Sequence, residues 1–354
     1  MSDKPDPVDL LSCPLPISDF KSVQLAHGAG GRLMNDLIRK LFVATFDSEE
    51  LNRFEDAARI DVEGCRLAFS TDSYVVDPIF FPGGDIGELA VNGTVNDLCM
   101  SGARPLFLSV GFILEEGFPL EDLHRVVTSM RHAADCAGVT ISAGDTKVVN
   151  RGKADKIFIN TAGIGVLNRS FLVAPERIAP GDSVILSGSI ADHGVAVLSR
   201  REGLSFEGAI ESDTAPLNRL VETMLESGGE GIHAMRDPTR GGLAAALNEF
   251  AEAAGVGIEI WEESIPVNEP VAGACELLGL DPLHVANEGK LLAVVAPDVA
   301  SQVVEEMRRN PLGRDAAVIG EVGPRRRGLV SMKTRVGGIR IVDMLVGEQL
   351  PRIC

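Results

Sequence analysis

Five aspartates stand among small and hydroxyl residues: Asp56 in EDAARI, Asp72 in STDSYVV, Asp97 in NDLCMSGA, Asp145 in AGDTKVV and Asp237 in RDPTRGG. Taken singly, each reads as a turn former or an N-cap. Together, with no Cys or His ligand pattern around them, they suit a hard, oxygen-seeking cation such as Mg2+, held partly through phosphate oxygens. Two glycine loops, Gly28-Ala29-Gly30-Gly31 and Gly241-Gly242, open helical patterns, where backbone N–H groups can face a phosphate. Neither is a GxxxxGK[ST] loop and no GxGxxG follows a strand, so the P-loop and dinucleotide readings both fail. The sequence closes on MLVGEQLPRIC, with Cys354 its last residue. Any residue can end a chain, but a mobile, exposed terminal thiol could also serve as a carrier, modified at one place and presented at another. Its own α-carboxylate raises its pKa, and Arg352 offsets this in part.

Elements that position these residues follow from periodicity. Leu33, Leu37, Ile38 and Leu41 fall at helical spacing behind the first glycine loop. The run 66–76 is β-branched and aromatic but interrupted by a polar turn signal. A helix over 86–99, strands over 105–114, 139–142 and 156–166, and a helix over 120–137 give alternating strand and helix, an α/β pattern. PERIAPGD (175–182) is a Pro/Gly seam and the best domain boundary. Beyond it the pattern restarts: a strand at SVILSG, helices at HGVAVLSR, 216–226 and 241–255, strands at 257–261 and 290–295, a helix at 297–310 and strands at 316–322 and 336–345. The domains expected are a flexible extension (1–21), an N-terminal domain (22–174), a C-terminal domain (175–335) and a mobile tail (336–354).

Composition sets the limits. The chain has 354 residues, 45% of them hydrophobic, enough for a large core in two domains. With 33 Lys+Arg against 51 Asp+Glu the formal charge is −18. Such a surface repels phosphate backbones and anionic lipid, which argues against nucleic acid and membrane partners. No apolar run approaches the ~18 residues of a membrane span, and the first residues lack a signal-peptide pattern, so the expected location is the cytoplasm. Six cysteines without a CxxC pair and six histidines without HxxxH or HExxH give little support to structural zinc or a redox dithiol.

The blocks HGAGGRLMNDLI, EDAARI, FSTDSYVVDPIFFPGGDIGELAVNGTVNDL, SGARPLFLS, ISAGDTKVV, INTAGIGV, ADHGVAVL, RDPTRGGLAAALNE, VANEGKLLAVV and VGEQLPRIC, in order from His27 to Cys354, resemble the HypE family of hydrogenase maturation proteins. That family belongs to the aminoimidazole ribonucleotide synthetase and selenophosphate synthetase superfamily. The resemblance implies a two-domain PurM-like α/β fold with mixed sheets, whose N-terminal domains share a β-barrel in a homodimer. It implies ATP-dependent dehydration of a carbamoyl group on Cys354 to a thiocyanate, the source of the cyanide ligand on [NiFe]-hydrogenase iron. The carbamoyltransferase HypF and the HypC–HypD iron scaffold are the implied partners, and ATP with Mg2+ the implied cofactors.

Residue by residue, Asp56, Asp72, Asp97 and Asp237 match the metal–nucleotide acids, with Asp145 beside the nucleotide. Gly28, Gly30 and Gly31 match the phosphate-covering segment, although Ala29 stands where serine is common. Lys147 and Glu288 match a pair beside the modified cysteine: Lys147 to polarise the carbonyl oxygen, Glu288 to take protons from nitrogen. The bland alternatives are ion pairs of Glu288 with Lys290 and of Lys147 with Asp145. A selenophosphate synthetase needs a Cys within the glycine loop, and this loop has none. A nucleotide-bound scaffold would need none of Lys147, Glu288 and Cys354. Deleting Cys354 alone should leave folding and nucleotide binding intact and abolish carbamoyl and cyano transfer. Maturation of hydrogenase by the truncated chain would rule out the carrier role.

Overall fold

The computed structural model describes residues 22–206, 208–323, 328–347, 350 and 352–354. The extension expected over residues 1–21 and the tail's Pro351 lie outside the described residues. The helical pattern after Gly31 becomes α1 (Arg32–Leu37), a π-helical stretch over Ile38–Val43 and a last turn, α2 (Ala44–Phe46). Then come β1 (Ala58–Val62) and β2 (Cys65–Tyr74), joined by Glu63-Gly64, whose positive φ values of 52° and 84° suit a two-residue hairpin turn. The polar turn expected within 66–76 is absent: β2 is one continuous strand. Its polar residues serve the pleat, with Ala68, Ser70, Asp72 and Tyr74 facing inward and Phe69, Thr71 and Ser73 outward.

A short ribbon, β3 (Phe80–Phe81) with β4 (Gly84–Asp85), leads into α3 (Ile86–Met100). Asp85 caps this helix, its Oδ1 accepting from the backbone N–H groups of Gly87 (2.7 Å) and Glu88 (3.1 Å). The helix is buried almost all round, which is why it lacks an amphipathic stripe. β5 (Arg104–Glu115), α4 (Leu120–Ala137), β6 (Thr140–Val149) and β7 (Ile157–Val166) complete a five-stranded sheet of order β1-β2-β7-β5-β6. Only β5 and β6 run parallel, and α4 supplies the crossover between them. The strand expected at 139–142 therefore extends through AGDTKVV to Val149.

The second unit holds a seven-stranded sheet. In chain order it contains β8 (Ser183–Leu186), α5 (Asp192–Glu202), α6 (Asn218–Gly228), β9 (Ile232–Arg236), α7 (Gly242–Ala254), β10 (Gly257–Trp261), α8 (Glu269–Leu278), β11 (Leu292–Val295), α9 (Pro297–Arg309), β12 (Ala317–Gly323), β13 (Leu329–Lys333) and β14 (Ile339–Val342). Its strand order is β14-β13-β10-β12-β8-β11-β9, with β10 and β13 parallel and the other pairs antiparallel. Because β14 is an edge strand of this sheet, the segment free to act as a tail starts after Val342, later than the residue 336 expected. One apolar cluster runs from Tyr74 and Leu89 through Met224 and Met307 to Ile353, so both units and Ile353 contribute to it, while a second cluster packs α7 against the seven-stranded sheet. No described helix is long and apolar enough to cross a membrane.

Candidate active site

Four inward-facing acids converge where the units meet. Asp72 comes from β2, Asp97 from α3, Asp237 from the turn after β9, and Glu288 from the turn before β11. Burial is the first cause that lifts Asp97 well above the usual carboxylate range, followed by repulsion from Asp237, Asp72 and Asp56. Asp237 is lifted likewise, by burial and then by Asp56. The Ser70 hydroxyl donates to Asp97 Oδ2 at 2.6 Å. Asp56 is held by Arg236 Nε at 2.8 Å, and the same guanidinium reaches Glu249 at 2.5 Å and the Phe54 carbonyl at 2.9 Å. Among the described residues no three His, Cys, Asp or Glu side chains form a ready-made metal cluster. Crowded buried carboxylates nevertheless fit a divalent ion that completes its shell with phosphate oxygens and water.

Glu288 is 3% exposed. Its backbone is clamped: the N–H donates to Asp213 Oδ1 at 3.0 Å and the carbonyl accepts from Asn96 Nδ2 at 3.1 Å. Its carboxylate Oε1 is buried without a hydrogen-bond partner among the described residues. Burial, then repulsion from Asp237, Asp72 and Asp213, pushes Glu288 well above the usual range, and Arg240 opposes this. The ion pair with Lys290 does not form, because Lys290 Nζ reaches Asp213 Oδ2 instead, at 3.3 Å.

Cys354 sits inside this constellation, half-buried and packed on the shared core. Burial pushes its thiol up to about 12, with Arg240 the opposing cation and Glu288 adding to the rise. Arg352, expected to offset the carboxylate, pairs with Asp155 instead. A cavity of about 80 Å³ lies beside the thiol, lined by Gly28, Ala29, Arg240, Ala286 and Cys354 among others. A cleft of about 620 Å³ lies on the other side of the glycine loop, lined by Gly30, Arg39, Asp56, Asp237, Thr239, Arg240 and Glu249 among others. Its size falls in the usual range for small-molecule sites. Arg240 lines both spaces and pairs with Asp72 at 3.7 Å. The loop can pass this close only as glycine: Gly30 has φ +73° and a Cβ there would lie 2.5 Å from the Arg240 carbonyl carbon.

Two expected site residues are elsewhere. Lys147 and Asp145 lie on β6, the edge strand, and bond to each other at 2.6 Å with side chains 67% and 71% exposed. Lys147 stands opposite Ile113 on the outward face, whereas Asp72 points inward. It is also three strands from β2, about 14 Å at the usual spacing. Arg240 was not among the expected residues. The signal was present in RDPTRGG, a guanidinium immediately before two glycines at the start of α7.

Residues 54–167 match the AIR synthase related protein N-terminal domain, and 179–333 match the C-terminal domain of the same family. The carbamoyl dehydratase HypE of Bradyrhizobium diazoefficiens is 56% identical over 332 residues, covering 94% of this chain and 96% of that protein. The chain belongs to the carbamoyl dehydratase HypE family. Its fold is the two-domain, mixed α/β architecture of HypE crystal structures. A solved hydrogenase maturation protein HypE in complex with ATP is 51% identical with a TM-score of 0.79, covering 94% of this chain and all (100%) of that one. A HypE–HypF complex is 52% identical at TM-score 0.83, covering 87% and 99%.

The carboxylate crowding has a pH signature. Asp97, Asp237 and Glu288 have folded pKa values above their unfolded ones, so their stability contribution is complete below the unfolded values near 4. It is lost as pH rises through the raised values. The nucleotide-free protein should therefore melt higher at about pH 5.5 than at about pH 7. Asp97→Asn should flatten that slope while weakening nucleotide binding by about 1–3 kcal/mol. Scanning calorimetry and titration calorimetry measure the two; unchanged affinity would remove Asp97 from the site.

Proposed function

We propose that this chain is an ATP-dependent dehydratase that converts a carbamoyl group on Cys354 into a thiocyanate. The observation that carries the reading is the docking of the terminal thiol between Glu288, whose buried Oε1 has no partner among the described residues, and a guanidinium, Arg240, that also lines the larger cleft. A thiocarbamate, S–C(=O)–NH₂, does not lose water directly, because hydroxide is a poor leaving group. Transfer of the ATP γ-phosphoryl to the carbonyl oxygen breaks the bond to ADP and makes that oxygen part of a phosphate ester. Loss of two N–H protons and cleavage of the C–O bond then release phosphate and leave S–C≡N.

Glu288 is the base for nitrogen. Its raised pKa makes the ionised carboxylate a stronger proton acceptor than an exposed glutamate. Arg240, at the seam between the two spaces, stabilises negative charge developing on the transferred phosphoryl and the carbonyl oxygen. Asp72, Asp97 and Asp237 would hold Mg2+, which supplies charge neutralisation on the phosphates, while Asp56 orders Arg236 at the cleft wall. The Gly28–Gly31 loop covers the phosphates with backbone N–H groups and excludes water. The carbamoyl group comes from HypF, and the cyano group leaves to iron on HypC–HypD.

The expected homodimer has support in the five-stranded sheet. β6 offers a free edge ten residues long, and the outward face exposes Phe69, Phe107, Ile113 and Ile164. A long unpaired edge beside an apolar face is a template for a second copy. Lys147 lies on that edge, so its contact with a thiocarbamate requires the second copy. Light scattering at micromolar concentration should give twice the chain mass; a monomer would withdraw both the dimer and the role of Lys147.

Glu288→Gln preserves shape and removes the base. Carbamoylated Cys354 should accumulate in this variant while ATP still binds, with dehydration slowed by about 10²–10⁴-fold. Intact-mass spectrometry reads the thiocarbamate and thiocyanate directly. Normal cyanation by the variant would overturn the assignment.

A further inference from the structure

The end of the chain is held along residues 75–77. The Val75 N–H donates to the Cys354 main-chain oxygen at 3.1 Å and the Asp77 N–H to the Arg352 carbonyl at 3.2 Å. Arg352 Nε donates back to the Val75 carbonyl at 2.9 Å. Two side chains of α5 complete the grip. Arg201 donates through one nitrogen to the Arg352 carbonyl at 2.6 Å and through Nε to the Asp77 carbonyl at 2.7 Å. Fully buried His193 lies with Nε2 3.0 Å from the Ile353 carbonyl and Nδ1 2.8 Å from the Ser212 hydroxyl. A carbonyl only accepts, so Nε2 carries the proton and Nδ1 accepts from Ser212. Burial lowers the His193 pKa and keeps this neutral form. The Phe81 ring packs edge-on at 5.4 Å and leaves the imidazole little room to turn. Apart from Arg201 to Asp77 and His193 to Ser212, each of these bonds ends on a main-chain atom of the tail or starts from Arg352. Among the described residues none ends on the Cys354 Sγ.

We infer that His193 and Arg201 are positioning residues that dock the tail by its backbone, so that thiol, thiocarbamate and thiocyanate forms share one docked geometry. A docking mode that does not read the sulfur cannot by itself release the product. Release then depends on what occupies the cleft beyond Arg240 and the glycine loop. The inference rests on the dehydratase reading for the loaded forms, but the docking of the free thiol stands apart from it.

The test uses the full-length protein, with alkylation by iodoacetamide followed by peptide mass spectrometry. Exposed Cys65 and Cys136 serve as internal references. His193→Leu should speed alkylation of Cys354 about tenfold, the scale of one lost hydrogen bond, without changing the references or ATP affinity. His193→Gln, which can place an N–H near the position of Nε2, should restore protection. In hydrogen exchange, the Val75 and Asp77 amides should be equally protected in free and carbamoylated protein and unprotected in His193→Leu. Equal alkylation of Cys354 in wild type and His193→Leu would overturn the proposal, as would failure of the Gln rescue. So would protection at residues 75–77 that changes with the load on sulfur. Wild-type protein that shows this protection but never yields thiocyanate would refute the dehydratase reading and leave the docking of the free thiol intact.

Discussion

Mutual repulsion among Asp97, Asp237, Asp72 and Glu288 is the constraint around which the rest of the molecule is arranged. Removing such charges from water is unfavourable unless partners or cations compensate. The described residues bring two guanidiniums to them: Arg236, anchored on Asp56 and Glu249, and Arg240, beside Asp72. What remains uncompensated is negative charge facing a cleft sized for a small molecule, which favours a cation and the phosphates it brings. The surrounding frame has to be rigid for the acids to stay together. Asn96, next to Asp97 in α3, supplies part of that rigidity. Its side chain bonds to the main chain of Ala215, Leu217 and Glu288, which locks the helix to the second unit.

The same burial governs the thiol. The nucleophilic form of cysteine is the thiolate, and a thiol pushed up to about 12 is almost wholly protonated at neutral pH. Docked Cys354 would therefore be a poor acceptor of a carbamoyl group, whereas a loaded sulfur no longer titrates and carries no such burial cost.

The two faces of the N-terminal sheet divide the work in a comparable way. Inward residues of β2 meet α3 and build the acidic site, while the described residues leave the outward face and the β6 edge without cover. The position of Lys147 follows from this division. A one-residue change of register would turn its side chain to the inner face, but three strands would still separate it from the thiol.

Much of this was legible in the amino-acid sequence. Alternating strand and helix patterns, the seam at 175–182, the long apolar helix over 86–99 and the aspartates in small-residue contexts all follow from local chemistry that a periodicity can display. Asp56, Asp72, Asp97 and Asp237 were read as a group because each stands among small or hydroxyl residues, although Asp72 lies within β2 and Asp97 within α3. Three things were not legible. The polar residues in β2 read as a turn because periodicity does not say that an inward face can carry a buried hydroxyl such as Ser70 and an acid such as Asp72. That Lys147 lies on the outward face of β6, away from Cys354 within one chain, was hidden because sequence blocks carry residue identity but not which side of a pleated sheet a side chain takes. Arg240, His193 and Arg201 had no local signature of contact with the tail, since the segments they join lie more than a hundred residues apart. Which acids are buried, which cation faces the thiol and where the tail docks depend on long-range packing. The energy of a buried charge is set by what surrounds it in space, and only the folded chain decides that.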